Sequence, residues 1–243
     1  MRRRHAPTWI LRRPIAHRGL HGPRRPENSL SAFEAAVDHG YPIELDVHLT
    51  SDAQVVVFHD DELRRMTGAS GRVTELSLAQ LRQRRLLGTD DHVPSLREVL
   101  ELVDGRVPLV VELKSHGAAG ALETRTRDVL RDYAGEVAVQ SFNPRSVAWF
   151  RRESPHLPRG LLATDFADED LPTYQKILLR RLAPVPWVAP DYVGYDLRCL
   201  PYWPVTLLRR VGVPVVAWTI RTAADAARAA VVADNMIFEN VRP

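Results

Sequence analysis

About eight short apolar runs, most followed by a helical pattern, constrain the fold of this 243-residue chain more than any other feature. The runs are Pro14–His17, Pro42–Val47, Pro108–Leu113, Val137–Phe142, Arg159–Ala163, Trp187–Tyr192, Val215–Ile220 and Met236–Phe238. Apolar, often β-branched segments of this length read as strands buried on both faces, the condition of a parallel sheet. Helical patterns fall between them at Ser29–His39, Ser95–Val103, Ala118–Tyr133, Pro144–Arg152, Leu171–Leu182, Leu200–Val211 and Thr222–Val232. Gly40 is a stop for the first, and Ser95 followed by Glu98 is a capping box for the second. Such alternation predicts a TIM-type (β/α)8 barrel forming a single domain over residues 1–243, with residues 1–13 as a basic N-terminal segment. An open doubly wound sheet has the same alternation and is the rival architecture. Val55–Phe58 breaks the pattern: only Leu49–Gln54 separates it from the preceding strand, too few residues for a parallel crossover. It reads as the return arm of a short hairpin excursion after the second strand, carrying His59 and Asp60 back over the barrel mouth.

No run reaches the roughly 18 apolar residues of a membrane-spanning helix, so no membrane span is expected. The opening MRRRHAPTWILRRP lacks the apolar core of a secretory signal, and a cytoplasmic location is the expectation. Cys199 is the only cysteine, which excludes an intrachain disulfide. The net charge of +3 comes almost wholly from arginine, Lys114 and Lys176 being the only lysines. An anionic partner fits this balance, but the arginines are dispersed among nearly as many acids. They read as a solvated surface, with a small-molecule partner expected and no nucleic acid. No stripe on the outer helices announces a dimer, and the oligomeric state stays open.

The candidate chemistry sits at strand ends, where barrel active sites are built. Residues two apart in a strand share a face, so Glu44 and Asp46 point one way, and so do Glu112 and Lys114 on their own strand. Three carboxylates in apolar surroundings repel one another and resist burial unless positive charge compensates. An oxygen-liganded divalent cation, Mg2+ or Ca2+, meets that need; arginines at the barrel rim are the other way to meet it. His17 and His59, at the end of the first strand and after the hairpin, suit proton transfer near neutral pH. His48 points away from Asp46 in a regular strand and reads as structural, as do His5, His39 and His156.

Taken in order, these residues resemble the glycerophosphodiester phosphodiesterase family. The likeness runs through His17-Arg18-Gly19, Pro26-Glu27-Asn28-Ser29, Ala32-Phe33, Glu44-Leu45-Asp46-Val47, Leu49-Thr50, Asp52 and Val57-Phe58-His59-Asp60. It continues with Leu63-Arg64-Arg65-Met66-Thr67-Gly68, Gly71, Pro94-Ser95-Leu96, Val99-Leu100, Glu112-Leu113-Lys114, Ser141-Phe142 and Trp218-Thr219. The resemblance implies metal-dependent hydrolysis of a glycerophosphodiester to glycerol 3-phosphate and an alcohol. It implies Glu44, Asp46 and Glu112 as metal ligands, His17 and His59 as the general acid/base pair, and Arg18 and Lys114 as phosphate contacts. Ser29 stands where the family usually has threonine, and Ala53 where it commonly has a turn glycine. Near the C-terminus the chain reads Ile237-Phe238-Glu239-Asn240-Val241-Arg242-Pro243, where similar proteins generally show a Thr-Asp before the final proline segment. The alternatives are a lysophospholipase D-like enzyme, with Trp149, Phe150, Trp187, Tyr195, Tyr202 and Trp203 as candidate tail contacts, and a barrel that binds an anion without turnover.

Overall fold

The computed structural model describes residues 6–243; the basic stretch before Ala6, His5 included, lies outside the described residues. Nine strands form: β1 (Ile15–His17), β2 (Ile43–Leu49), β3 (Val55–Val57), β4 (Leu109–Leu113), β5 (Val137–Ser141), β6 (Arg159–Ala163), β7 (Tyr192–Asp196), β8 (Val215–Ile220) and β9 (Asn235–Phe238). Their order is β1-β9-β8-β7-β6-β5-β4-β2-β3, and β1 also pairs with β2. That last pairing closes a ring of eight parallel strands, so the expected (β/α)8 barrel is present and the open sheet is excluded. Strand β3 hangs outside the ring, antiparallel to β2 with Val47 opposite Val57, as the hairpin reading required. The chain packs as two compact units, Ile15–Val137 and 138–243 with the described N-terminal segment.

In the first unit, β2 lies between β1 and β4, in parallel register with both. Between β1 and β2 runs the helix Leu30–Asp38, which buries Ala32, Phe33, Ala35, Ala36 and Val37. Its N-cap, Ser29, accepts from the Ala32 amide at 3.2 Å. The helix Leu96–Val103 buries Leu96, Val99, Leu100 and Val103, one face at helical spacing. Ser95 and Glu98 form its capping box, with the Ser95 amide donating to Glu98 Oε2 at 2.8 Å. The hairpin turn is tied by Thr50, whose Oγ1 accepts from the Gln54 amide at 2.9 Å. Ala53 adopts φ 58°, a left-handed conformation that glycine takes without strain. Between the hairpin and Ser95 the chain packs a satellite core of Val56, Phe58, Leu63, Met66, Val73, Leu81, Leu86 and Val93. This core gives the excursion a floor, and nothing in the strand–helix alternation predicted it.

In the second unit, β6 to β9 are parallel neighbours in sequence order. The seventh strand departs from expectation: it is Tyr192–Asp196, whereas Val185–Val188, counted partly in the expected run, is a short helix. Pro184 and Pro186 suit the first turn of a helix, and Ala189 ends it at φ 43°. Gly194 made the true strand look interrupted, yet Leu162 of β6 fills the space a Cβ would occupy there. The N-terminal segment is more than a basic tail. Trp9 and Ile10 are buried, and Asn235 Nδ2 of β9 donates to the Ile10 carbonyl and, at 2.8 Å, to that of Arg13. No helix among the described residues is long and apolar enough to cross a membrane.

Candidate active site

The turn after β1 is built by conformation as much as by side chains. Arg18 takes φ 54° and Gly19 φ 82°, and a Cβ on Gly19 would stand 2.8 Å from the Ala32 backbone. Only glycine permits that approach, which seats the turn on the first helix: the Leu20 amide donates to the Ala32 carbonyl at 2.9 Å. A non-glycine residue held left-handed at Arg18 stores strain, a feature common where a side chain must be aimed.

Strand register gathers the acids. His17 pairs with Glu44 across β1 and β2, and Asp46 pairs with Glu112 across β2 and β4. One carboxylate oxygen from each of Glu44, Asp46 and Glu112 lies within 4.8 Å of the other two, and all three residues are buried. Lys114 Nζ stands 2.8 Å from Asp46 Oδ1 and bonds Glu112 Oε1. The Arg18 amide donates to Glu44 Oε2 at 3.2 Å, and its Nε lies 3.2 Å from Asp46 Oδ2. Asn28 Nδ2 donates to the same Asp46 oxygen at 2.8 Å.

Burial and charge act differently on each carboxyl. Burial would raise Asp46, but Lys114 and Arg18, with His59 and His17 behind them, outweigh it and hold the group well below the usual carboxylate range. For Glu44, burial is reinforced by repulsion from Asp46 and Glu112, and its pKa stands well above the ordinary value. Burial also leaves Glu112 raised, against the pull of Lys114. Lys114 itself, opposed by burial, is raised by Asp46 and Glu112 and keeps its proton. Two cations thus face three buried acids.

That imbalance is the test of whether a divalent cation fits. The donors are all oxygens, as Mg2+ and Ca2+ prefer. Burial and the repulsion from Asp46 and Glu112 outweigh the pull of Arg18 and Lys114 at Glu44. The three residues therefore suit such an ion.

His59 lies half-buried on the return from β3. Its Nδ1 is 2.7 Å from Asp60 Oδ1, and His48 Nε2 donates to its carbonyl at 3.1 Å. Burial lowers the pKa of His48 and keeps that ring neutral, so its role is to hold the His59 backbone. Arg65 reaches Asp60 through Nε at 2.6 Å and Glu27 through Nη2 at 2.6 Å, while Glu27 also takes Arg18 Nη1 at 2.7 Å. A charged chain therefore links Arg18, Glu27, Arg65, Asp60 and His59. His17 sits at the end of β1, partly buried, and contributes to the field at Asp46. All seven residues expected from sequence lie on β1, β2 and β4 or the turns after them, within one compact unit. Missed as site residues were Glu27, Asn28 and Arg65, while His48 has the structural role expected of it. Glu27, Asn28 and Arg65 all stood inside the resemblance motifs, but nothing in their local pattern showed that Arg65 bridges Glu27 and Asp60.

Fold and cluster define a parallel barrel in which three buried acids and two cations gather on β1, β2, β4 and the turns after them. Residues 17–238 match the pattern of the glycerophosphoryl diester phosphodiesterase family. YhdW of Bacillus subtilis (strain 168), by name a glycerophosphodiester phosphodiesterase, is 31% identical over 224 residues, 88% of each chain. The glycerophosphodiester phosphodiesterase of Bacillus altitudinis is 32% identical over 167 residues, 62% of this chain and 66% of its own. In structure, the chain resembles a phosphodiesterase of Oleispira antarctica solved with its product sn-glycerol-3-phosphate. That likeness has a TM-score of 0.80 at 24% identity, over 94% of this chain and 93% of the other. The chain belongs to the glycerophosphoryl diester phosphodiesterase family.

Proposed function

We propose that this protein hydrolyses small glycerophosphodiesters to glycerol 3-phosphate and an alcohol, using Glu44, Asp46 and Glu112 to hold a divalent cation, Mg2+ or Ca2+. The observation that carries the reading is the buried triad of acids with two cations beside it, in a chain of this family. Bound there, the cation would supply Lewis-acid stabilisation of charge on a phosphoryl oxygen.

The protein's own groups do the rest. Arg18 and Lys114 present positive charge to the phosphate, where the transition state spreads negative charge over oxygens. Asp60, ionised and fixed by Arg65, accepts a hydrogen bond from His59 Nδ1. The lone pair is then at His59 Nε2, ready to take a proton from the attacking hydroxyl or, once protonated, to give one to the leaving alcohol. His17 serves the opposite side of the phosphorus in the complementary role.

Release of glycerol 3-phosphate from glycerophosphocholine and glycerophosphoethanolamine tests this, with EDTA and then Mg2+ or Ca2+ added back. Turnover lost to EDTA and restored by metal is expected. His17→Ala or His59→Ala should each lower kcat by roughly 10²–10⁴-fold with the fold intact. Near-normal rates in either variant sink the acid/base assignment. Lysophosphatidylcholine is the third substrate. Cleavage of it alone would move the enzyme to the lipid-tailed class, although Trp149, Phe150 and Tyr195 are buried rather than lining a groove.

A further inference from the structure

The helix Thr173–Arg180 wears its apolar side outward. It buries none of its eight residues, and Tyr174, Ile177 and Leu178 are 62%, 45% and 49% exposed. Positions i, i+3 and i+4 share one helix face, so these three form a single patch. A polar side chain turns back instead: Lys176 Nζ donates to the Ala167 carbonyl at 3.0 Å. Surface helices ordinarily show the reverse arrangement, and an exposed apolar patch rimmed by charge marks an interaction surface. Trp187, 55% exposed on the short helix that follows, extends the apolar material available.

The rim charges are sorted by sign. Asp168, Glu169 and Asp170 are exposed just before the helix, and Arg181 is exposed just after it. None of these four is in an ion pair among the described residues, whereas the neighbouring Arg180 stacks over the Tyr202 ring at 5.1 Å. The patch is centred near residue 176, about midway between Asp170 and Arg181. A second copy of this helix, laid antiparallel across a two-fold axis at that centre, would set each acidic end against the other's arginine. It would also place Tyr174 opposite Leu178 and Ile177 near the axis. In an isologous contact a residue pair occurs twice, so both ends are satisfied together. A parallel copy would oppose like charges, and an anionic surface would repel the acidic end.

We infer that this face is a homodimer interface formed by antiparallel packing of Thr173–Arg180 against its counterpart in a second copy of the chain. Light scattering and sedimentation of the full chain over a concentration series test it, with circular dichroism as the fold control. These readouts do not depend on turnover, so they stand whether or not the proposed hydrolysis is observed. The wild type should show twice the 27.4 kDa of one chain. Ile177→Asp with Leu178→Asp, both at exposed sites, should return it to one chain. Asp170→Arg or Arg181→Asp alone should weaken association about tenfold at low salt, because each reversal acts twice across the axis. The two reversals combined should restore it. A wild type that stays at one chain overturns the inference, as does a dimer surviving the double aspartate substitution. Failure of the combined reversal to restore association overturns the antiparallel arrangement. A one-chain wild type that sediments with phosphatidylglycerol vesicles, and loses this with Ile177→Asp, would assign the face to a lipid surface instead.

Discussion

Two buried ionic groups in this protein are built on opposite principles. In the second unit, Arg159 and Asp191 form a matched pair: Asp191 Oδ2 accepts the Arg159 amide at 2.9 Å and lies 3.8 Å from its guanidinium. One acid answers one base, and the group fixes the start of β6 against the approach to β7. On β1, β2 and β4 and the turns after them, three buried acids face two bases, and burial reinforced by repulsion drives Glu44 above its ordinary range. A structural group is close to neutral, whereas the candidate site carries an excess of acid that a further cation, or a proton held on Glu44, would relieve. Mismatch of buried charge, more than its presence, distinguishes a site from a brace.

The comparison breaks most visibly at Glu44. Glu44→Gln leaves two acids with two bases, so the metal-free protein should melt no lower than the wild type, while turnover falls by roughly a thousandfold. Melting curves in EDTA and initial rates with added metal measure both. A clear drop in melting temperature would mean that Glu44 is already compensated and the excess is not real. Asp191→Asn should do the opposite. It takes the acid away from a buried guanidinium and should cost about 3 kcal/mol, or roughly 6–12 °C in melting temperature, with turnover per folded molecule unchanged. Loss of activity without loss of stability in that variant would erase the distinction between the two groups.

How much of this could be read beforehand depended on where the signal lay. Glu44, Asp46, Glu112 and Lys114 were legible because charges two apart inside an apolar run contradict their surroundings, and period-two alternation assigns them a common face. The hairpin was legible from chain length alone. The seventh strand was displaced because Trp187 and Val188 look more strand-like than Tyr-Val-Gly-Tyr-Asp, and only the Leu162 side chain from a neighbouring strand explains Gly194. Arg65 stood in the resemblance, but its partners were invisible for a related reason. Its bonds to Asp60 and Glu27 span loops whose meeting depends on the satellite core, a long-range arrangement without local periodicity. The outward-facing helix was likewise hidden, since spacing shows that Tyr174, Ile177 and Leu178 share a face but not that the face is turned to solvent.

Between the matched pair and the mismatched triad stands the half-exposed chain of Arg18, Glu27, Arg65, Asp60 and His59, and it should give the smallest effect. Burial raises the Asp60 carboxyl, but the His59 hydrogen bond and Arg65 overcome this and leave it far below the ordinary range. A carboxyl depressed in the folded state contributes stability above its unfolded pKa, near 4, and loses that contribution as pH falls through the folded value. Solvent screening at a partly exposed pair limits the contribution to about 1 kcal/mol. Asp60→Asn should therefore melt slightly below the wild type above about pH 5, and the gap should close as the solution is acidified. Its kcat should fall about tenfold with little change in KM, because the His59 ring loses an anionic partner while the phosphate contacts stay. A stability gap that widens in acid would reverse the assigned direction of the Asp60 shift. A change confined to KM would show instead that the chain acts through Glu27 on Arg18, making it part of the phosphate grip and not of the proton path.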